Sequence, residues 1–201
     1  VSLALAGSEE RIQVRRIYCI GRNYLEHVRE LNNDEREPPF NFQKPADAIV
    51  PDGATITYPL GTSDLHHEIE LALVIGKGGE NISVADAPGH IFGAAISIDL
   101  TRRDIQNVVK KMARPWEPCK AFDESIPIGT VTKADPANPT PDRALTMTVN
   151  DGVRQTGRTS QMIWNEAEII AHVSSLNRLE PGDVILTGTP AGVSAVVPGD
   201  V

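Results

Sequence analysis

The chain has 201 residues and a net charge of −8 at neutral pH, with acidic residues outnumbering basic ones by 27 to 19. This length is usual for one domain and is enough to bury a hydrophobic core. The negative charge argues against nucleic acid and anionic membranes as partners, because an acidic surface is repelled by phosphate. The sequence also lacks an apolar run long enough to span a bilayer.

The first twelve residues have neither the basic start nor the long apolar stretch of a secretory signal, so we expect a cytoplasmic protein. The two cysteines, Cys19 and Cys119, are far apart and form no C-x-x-C pair. We therefore expect two free thiols in a reducing compartment, with no chemistry assigned to them.

A short β-prone run over 15–20 is followed by Asn23, which can cap a helix predicted over 24–31. In that helix His27 and Glu30 are three residues apart and therefore share a face. An imidazole held by a carboxylate is a competent general base, because the acid stabilises the imidazolium that forms when a proton is taken. The alternative is an ordinary solvated pair on the helix surface.

The next stretch, 32–39, is polar, charged and closed by two prolines, which predicts a loop that could serve as a lid. It leads into Phe40–Lys44, an apolar approach that ends in a single lysine. Lys44 is expected either to extend along the surface with its charge in water or to contact a carboxylate.

Glu68 and Glu70 stand at the start of a strongly apolar strand predicted over 68–75. Because side chains alternate along a strand, the two carboxylates point to the same side. Two buried acids on one face persist only with a cation, a shared proton or an Arg or Lys between them. Oxygen ligands favour a hard ion such as Mg2+, Mn2+ or Ca2+. The alternative is a solvent-exposed edge with two hydrated glutamates.

A second apolar strand, 91–98, stops at Asp99, and an amphipathic helix is predicted to run from Thr101 to Lys111. Ligand sites collect where buried strands end, so the position of Asp99 favours a functional role. Arg103 and Gln106 lie on the helix face expected to point back toward Asp99.

Further along, Lys120 lies in a proline-rich stretch, and a hairpin is predicted over 145–157 with an Asp-Gly turn at 151–152. A helix is predicted over 166–176. The residues of this helix expected to face the core are Ile169, Ile170, Val173 and Leu176. A final strand over 184–190 could offer the hydroxyls of Thr187 and Thr189.

Many short strands with only about three helices predict a β-rich α+β domain. We expect residues 1–14 to be a lead-in and residues 15–201 to form the catalytic domain. The last residues read as a turn followed by the first residue of another strand, so the C-terminal end is expected to be incomplete.

Six motifs together closely resemble the fumarylacetoacetate hydrolase family, in particular its small single-domain acylpyruvate hydrolases. They occur in the family's order and cover the chain from about residue 15 to its last residue. The motifs are G-R-N-Y-L-E-H-V-R-E over 21–30, F-N-F-Q-K-P over 40–45, H-H-E-I-E-L over 66–71, D-L-T-R-R-D-I-Q over 99–106, P-W-E-P-C-K-A-F-D over 115–123 and D-V-I-L-T-G-T-P over 183–190.

The resemblance implies a mixed β-sandwich roll, usually a homodimer, and a metal site that holds Mg2+, or Mn2+ or Ca2+ in its place. It implies the following site residues: Glu68, Glu70 and Asp99 as metal ligands; His27, Glu30 and Lys120 as catalytic residues; and Lys44, Arg103, Gln106 and Thr189 as substrate contacts.

The implied activity is hydrolysis of a carbon–carbon bond in a 2,4-diketo acid, giving pyruvate and a carboxylic acid. The run over 34–48 is similar to that of enzymes acting on fumarylpyruvate in aromatic-acid breakdown, so fumarylpyruvate is the expected substrate. Oxaloacetate decarboxylation and isomerisation of 2-hydroxyhepta-2,4-dienedioate use the same kind of site and stay open. A silent protein that binds metal and keto acid without turnover is the non-enzymatic alternative.

Overall fold

The structure, a computed structural model, describes residues 1–26 and 38–201. The strands in these residues are β1 Ser2–Ala4, β2 Arg11–Gln13, β3 Ile17–Gly21, β4 Phe40–Lys44, β5 Ile49–Pro51, β6 Leu65–His67, β7 Ile69–Ile75, β8 Ile91–Ile98, β9 Thr101–Arg102, β10 Ile126–Ile128, β11 Thr132–Lys133, β12 Ala144–Val149, β13 Gly152–Arg158, β14 Val184–Leu186 and β15 Ser194–Val196. The helices that lie wholly within the described residues are α1 Arg103–Lys111, α2 Glu117–Lys120 and α3 Glu166–Leu176, with short 3-10 turns at Ala46–Ala48, Ala87–His90 and Thr159–Gln161.

The centre of the fold is a mixed sheet with the strand order β4-β3-β14-β7-β8-β10-β5, and β11 also pairs with β8. Most neighbours are antiparallel, whereas β3 with β14 and β5 with β10 are parallel. Three smaller sheets pair β1 with β2, β12 with β13, and β6 with both β9 and β15. The β-rich α+β prediction is confirmed.

The middle strands of the central sheet, β3, β14 and β7, are buried on both faces, which explains why they are almost continuously apolar. Along β7, Leu71 and Leu73 pack into a cluster with the helix residues Ile169 and Ile170. The alternate residues of the same strand, Ala72 and Val74, pack into a second cluster on the opposite side of the sheet. All of β7 is therefore buried, including Glu70, and the alternative of a solvent-exposed edge is excluded.

The pairing of β7 with β8 brings distant acids together. The two strands are antiparallel, with Ile69 opposite Ile98 and Glu70 opposite Ser97. One step further along the same register, the backbone N–H of Asp99 donates to the carbonyl of Glu68 at 2.8 Å. Two residues that are far apart in sequence thus become direct neighbours at one end of the strand pair.

The predicted helix over 166–176 is confirmed as α3, and Asn165 caps it by accepting from the N–H groups of Ala167 and Glu168 at 3.0 Å each. Its core-facing set is correct except for Leu176, which is 64% exposed because it lies in the last turn.

The hairpin of β12 and β13 is confirmed, but its turn lies one residue earlier than predicted. Asn150 and Asp151 have φ values of 50° and 65°, which are the left-handed values of the two central residues in a tight hairpin turn. Gly152 already belongs to β13.

The predicted helix over 24–31, with His27 and Glu30, and the predicted loop over 32–39 lie for the most part outside the described residues. No helix in the described part of the chain is long and apolar enough to cross a membrane.

Candidate metal centre and active site

Three carboxylates meet where β7 begins and β8 ends. Glu68, Glu70 and Asp99 are 5%, 2% and 1% exposed, and each offers an oxygen within 4.8 Å of the other two. Buried acids this close repel one another and have lost most of their hydration, so the cluster requires positive charge.

Lys120, at the end of α2, supplies part of that charge. Its ammonium donates to Glu68 Oε2 at 2.8 Å, to Asp99 Oδ2 at 2.5 Å and to Thr101 Oγ1 at 2.6 Å. Burial lowers the pKa of Lys120, but the neighbouring Asp99 and Glu68 outweigh burial and raise this pKa above its ordinary value. Lys120 therefore stays charged and has an acceptor for each of its three protons.

Lys44 is buried rather than extended along the surface. Its ammonium lies 2.7 Å from Asp99 Oδ1 and donates to the carbonyls of Leu100 and Ser125 at 2.9 and 3.0 Å. Of the two alternatives left open by the sequence, the structure shows the carboxylate contact. Burial lowers the pKa of Lys44, and Asp99 counteracts part of this effect.

Glu70 is the carboxylate of the three without an ammonium or guanidinium contact in the described residues. Its Oε2 accepts from the backbone N–H of Gly188 at 2.7 Å. Burial, together with the negative charges of Asp99 and Glu68, raises the pKa of Glu70 well above its usual range. A cation bound beside Glu70 would remove this cost, because it favours the charged carboxylate.

The donor set fits a hard divalent cation. Three carboxylates suit such an ion, and each carboxylate oxygen has lone pairs beyond those used in one hydrogen bond. Asp99 Oδ1 accepts no hydrogen bond of regular geometry from the described residues, although Lys44 lies beside it. Lys120 holds Glu68 and Asp99 together, and no cation of the described residues contacts Glu70. The cluster thus combines two of the arrangements that the sequence left open, a lysine bridge and a place for a cation.

Arg103 and Gln106 lie on one face of α1, as predicted, but Arg103 contacts Glu68 rather than Asp99. One terminal nitrogen of Arg103 binds Glu68 Oε1, and the other donates to Gln106 Oε1 at 2.5 Å. Since the carbonyl oxygen of Gln106 is held in this way, its NH2 group is the part that can donate to a ligand.

These groups border a small cleft that is partly open to solvent. Ile20, Phe42 and Trp116 form its apolar walls, and the edge also includes Arg22 and Lys110. The predicted site residues that line it are Glu68, Glu70, Asp99, Arg103, Gln106, Lys120 and Thr189.

Gln155, on β13, was not identified from the sequence, yet it connects three parts of the site. Its Oε1 accepts from the N–H of Ile69 at 3.0 Å and lies 2.8 Å from the Nδ1 of His67. Its Nε2 donates to Thr189 Oγ1 at 2.8 Å. A single buried amide therefore fixes the peptide between the two glutamates and the hydroxyl of Thr189.

Asn23 also differs from its predicted role as a helix cap. Its side-chain amide donates to the carbonyls of Trp164 and Thr187 at 2.9 and 2.8 Å, and accepts from the N–H of Trp164. It thereby holds the turn that carries Gly188, whose φ is +95°. A Cβ at Gly188 would lie 2.7 Å from the Cβ of Asn23, so this turn requires glycine.

Comparison with known proteins shows the family to which the chain belongs. The family described as fumarylacetoacetate (FAA) hydrolase C-terminal matches residues 16–201. The chain belongs to this family, and the mixed roll predicted from the resemblance is confirmed.

Among solved structures, the chain is similar to the fumarylpyruvate hydrolase of Pseudomonas aeruginosa, solved in complex with Mn2+ and pyruvate. The two share 47% identity and a TM-score of 0.94, over 100% of this chain and 88% of that one.

Among curated proteins, the chain is 39% identical to the mitochondrial oxaloacetate decarboxylase of Dictyostelium discoideum, over 93% of this chain and 86% of that protein. It is 40% identical to the mitochondrial oxaloacetate tautomerase FAHD1 of Bos taurus, over 92% of this chain and 84% of that protein. The chain is thus a member of an enzyme family with hydrolase, isomerase and decarboxylase relatives, and it carries a candidate acidic metal site.

Proposed function

We propose that the protein is a metal-dependent hydrolase that cleaves the carbon–carbon bond of an acylpyruvate, with fumarylpyruvate as the first substrate to test. The products are pyruvate and a carboxylic acid, in the breakdown of aromatic compounds. The observation that carries this proposal is the buried group of Glu68, Glu70 and Asp99 beside an open cleft. The 47% identity to a fumarylpyruvate hydrolase, against 39–40% to the oxaloacetate enzymes, supports the choice of substrate.

Glu68, Glu70 and Asp99 would hold Mg2+, or Mn2+ or Ca2+ in its place. When bound, such an ion supplies Lewis acidity toward the carboxylate and 2-oxo oxygens of a keto acid. The cations around the carboxylates have a separate task. Lys44, Arg103 and Lys120 fix the orientation of Glu68 and Asp99 and balance their charge, so the two acids are preorganised.

Hydrolysis requires a base, and the resemblance assigns this role to His27 with Glu30. In this proposal His27 takes a proton from water, and the water oxygen adds to the carbonyl carbon C4. The C3–C4 bond then breaks, its electron pair passes to the pyruvyl fragment, and a proton at C3 completes pyruvate. The acyl group leaves as the carboxylic acid.

The oxyanion that forms at C4 needs hydrogen-bond donors. Lys120 could donate to it only by giving up one of its three acceptors. The NH2 group of Gln106 is better prepared, because Arg103 holds the other end of that amide. Loss of one such donor typically costs about 2.7 to 4 kcal/mol of transition-state stabilisation. Thr189, held by Gln155, lines the same cleft as a further substrate contact.

The decisive experiment follows the loss of the enol absorbance of fumarylpyruvate and acetylpyruvate, with and without a chelator, and measures oxaloacetate turnover alongside. We expect metal-dependent hydrolysis of the diketo acids and a fall of at least about a hundredfold in the His27→Gln variant. If that variant keeps diketo-acid hydrolysis while oxaloacetate turnover falls, the role proposed for His27 is wrong.

A second candidate is action on oxaloacetate, by decarboxylation or tautomerisation, which the two curated relatives favour. Neither reaction needs an attacking water, and the same carboxylates would serve. The substrate panel separates the two candidates, because preferred turnover of oxaloacetate would displace fumarylpyruvate as the substrate. A hydroxylated diene diacid, added to the panel as a fourth compound, tests isomerisation. A protein that binds metal but turns over none of these compounds would be a silent binding protein.

The predicted homodimer is part of this proposal, as are the domain boundary near residue 15 and the cytoplasmic location. Light scattering on the purified protein tests the homodimer directly, since a monomer would have half the expected mass.

A further inference from the structure

One cation at the edge of the cleft has no place in the mechanism above. Lys110, in the last turn of α1, lines the same cleft as the three carboxylates, and its ammonium lies over the ring of Trp116, 5.2 Å from the ring centroid. Within the residues that the structure describes, no carboxylate lies within 4.0 Å of this ammonium. The nearby acid Glu68 is already held by Arg103 and Lys120.

The surroundings of Lys110 make its charge costly. The side chain is half-buried, and its closest charged neighbours are mostly cations, with Arg103 and Arg22 both acting against its charged form. Burial and these two guanidinium groups lower the pKa of Lys110 to about 8. A negatively charged group entering the cleft beside Lys110 would remove this cost, so the site is prepared for an anion.

The cations deeper in the cleft already have their own acids. Lys44 and Lys120 contact Asp99, and Arg103 and Lys120 contact Glu68. Lys110 is therefore additional positive charge at the edge. Between the two regions lie the rings of Phe42 and Trp116, whose centroids are 5.5 Å apart, and they give the cleft an apolar wall.

We propose that Lys110 binds a second carboxylate of the substrate, the one at the far end of the acyl group. This inference rests on the proposed function and sharpens it, because it specifies a dianionic acylpyruvate. The 2-oxo acid end would lie beside the cation that Glu68, Glu70 and Asp99 would hold. The apolar wall accommodates the carbons of the acyl chain, and the terminal carboxylate reaches the ammonium of Lys110. Fumarylpyruvate has such a carboxylate, whereas acetylpyruvate has none.

The test compares these two substrates in four proteins: the wild type and the variants Lys110→Met, Lys110→Arg and Lys111→Met. Methionine keeps the packing against Trp116 and removes only the charge, whereas arginine restores the charge. Lys111 is the adjacent lysine on the same helix, is exposed and does not line the cleft, so its variant is the matched control. Thermal unfolding of each protein verifies that it folds.

The quantity that decides is the KM for fumarylpyruvate divided by the KM for acetylpyruvate. We expect Lys110→Met to raise this ratio about tenfold, which corresponds to about 1.4 kcal/mol for one charge-assisted hydrogen bond. Lys110→Arg should keep the ratio within about threefold of wild type, and Lys111→Met should leave it unchanged. A purely structural role of Lys110 would change both KM values together and leave the ratio unaffected.

An unchanged ratio in Lys110→Met, or an equal rise with Lys111→Met, overturns the inference while the proposed function stands. If the wild type hydrolyses neither compound, the proposed function fails. The dissociation constants of the two diketo acids, measured by calorimetry on the same Mn2+-loaded proteins, then decide on Lys110 by the same ratio.

Discussion

Two regions of one cleft differ in how their charges are arranged. The inner cluster consists of three acids and three cations, all buried, in which short contacts join every cation to Glu68 or Asp99: Glu68, Glu70, Asp99, Lys44, Arg103 and Lys120. The outer cation, Lys110, is half-buried and, among the residues that the structure describes, has an aromatic ring beside it instead of an acid. The inner cluster can prepare a reaction common to many keto acids, whereas the outer cation can select among them. The predictions below test this division.

The largest expected effect comes from breaking the inner cluster. Glu70→Gln keeps the shape of the side chain but removes the charge that a divalent ion needs. We expect kcat/KM for both diketo acids to fall about a thousandfold, or roughly 4 kcal/mol, with Mn2+ affinity lost in parallel. Steady-state kinetics and calorimetry measure the two changes. Glu117→Gln, at an exposed acid, is the control, and a Glu70→Gln protein that still binds Mn2+ tightly would contradict the assigned ligand.

Metal addition tests the same cluster through stability. An ion that binds only the folded protein stabilises it by about 2.7 kcal/mol at a concentration of 100 times its Kd. For a chain of this length, that corresponds to a rise in Tm of about 5 to 11 °C. Calorimetric scans with Mn2+ and with chelator provide the comparison. An equal rise in the Glu70→Gln protein would place the ion elsewhere.

Gln155 supports the inner cluster from outside, so its loss should have a smaller effect. Gln155→Leu leaves the N–H of Ile69 and the ring of His67 without their acceptor in the interior. We expect the free energy of unfolding to fall by about 2 kcal/mol, measured in urea. We also expect kcat to fall about tenfold, since Thr189 and the peptide between the glutamates lose their fixed positions. Thr189→Val, which removes only one of these bonds, should lose less stability, and an equal loss would contradict the role of the amide.

The smallest expected effect concerns pH and the outer cation. Because burial, Arg103 and Arg22 lower the pKa of Lys110 to about 8, its ammonium is present below that pH and is lost above it. Asp99 and Glu68 raise the pKa of the neighbouring Lys120, so Lys120 stays charged in this range. We therefore expect kcat/KM for fumarylpyruvate, relative to acetylpyruvate, to fall by up to about tenfold from about pH 7 to about pH 9. Lys110→Arg should abolish the fall, and a slope that persists there would assign it to another group.

Local pattern was enough to predict the apolar strands β7 and β8 and the helices α1 and α3, whereas the three clustered acids were selected by the pattern together with the resemblance to the family. Alternation in a strand puts Glu68 and Glu70 together, and the end of a strand is a visible position for Asp99. The predicted positions of Lys44 and Leu176 were less reliable, because burial depends on what packs against a residue from elsewhere. Lys44 follows the apolar run of β4, and only the fold shows that Asp99 lies beside it.

The roles of Gln155 and Lys110 could not be predicted from the sequence either. Gln155 is 86 residues from Ile69 and 34 from Thr189, so no spacing in the sequence predicts their contacts. Lys110 resembles its neighbour Lys111 in every local respect, and only the cleft distinguishes them. The roles of the predicted site residues, including His27 and Glu30, stay predictions that the experiments above address.

The antiparallel register of β7 and β8 has a consequence for refolding. Glu68 and Asp99 become neighbours only when these two strands pair in the native alignment, since a slip by one residue would carry one of them to the opposite face. If the proposed ion site is correct, a refolding chain can bind a divalent ion at these acids only after its two central strands have paired in this register.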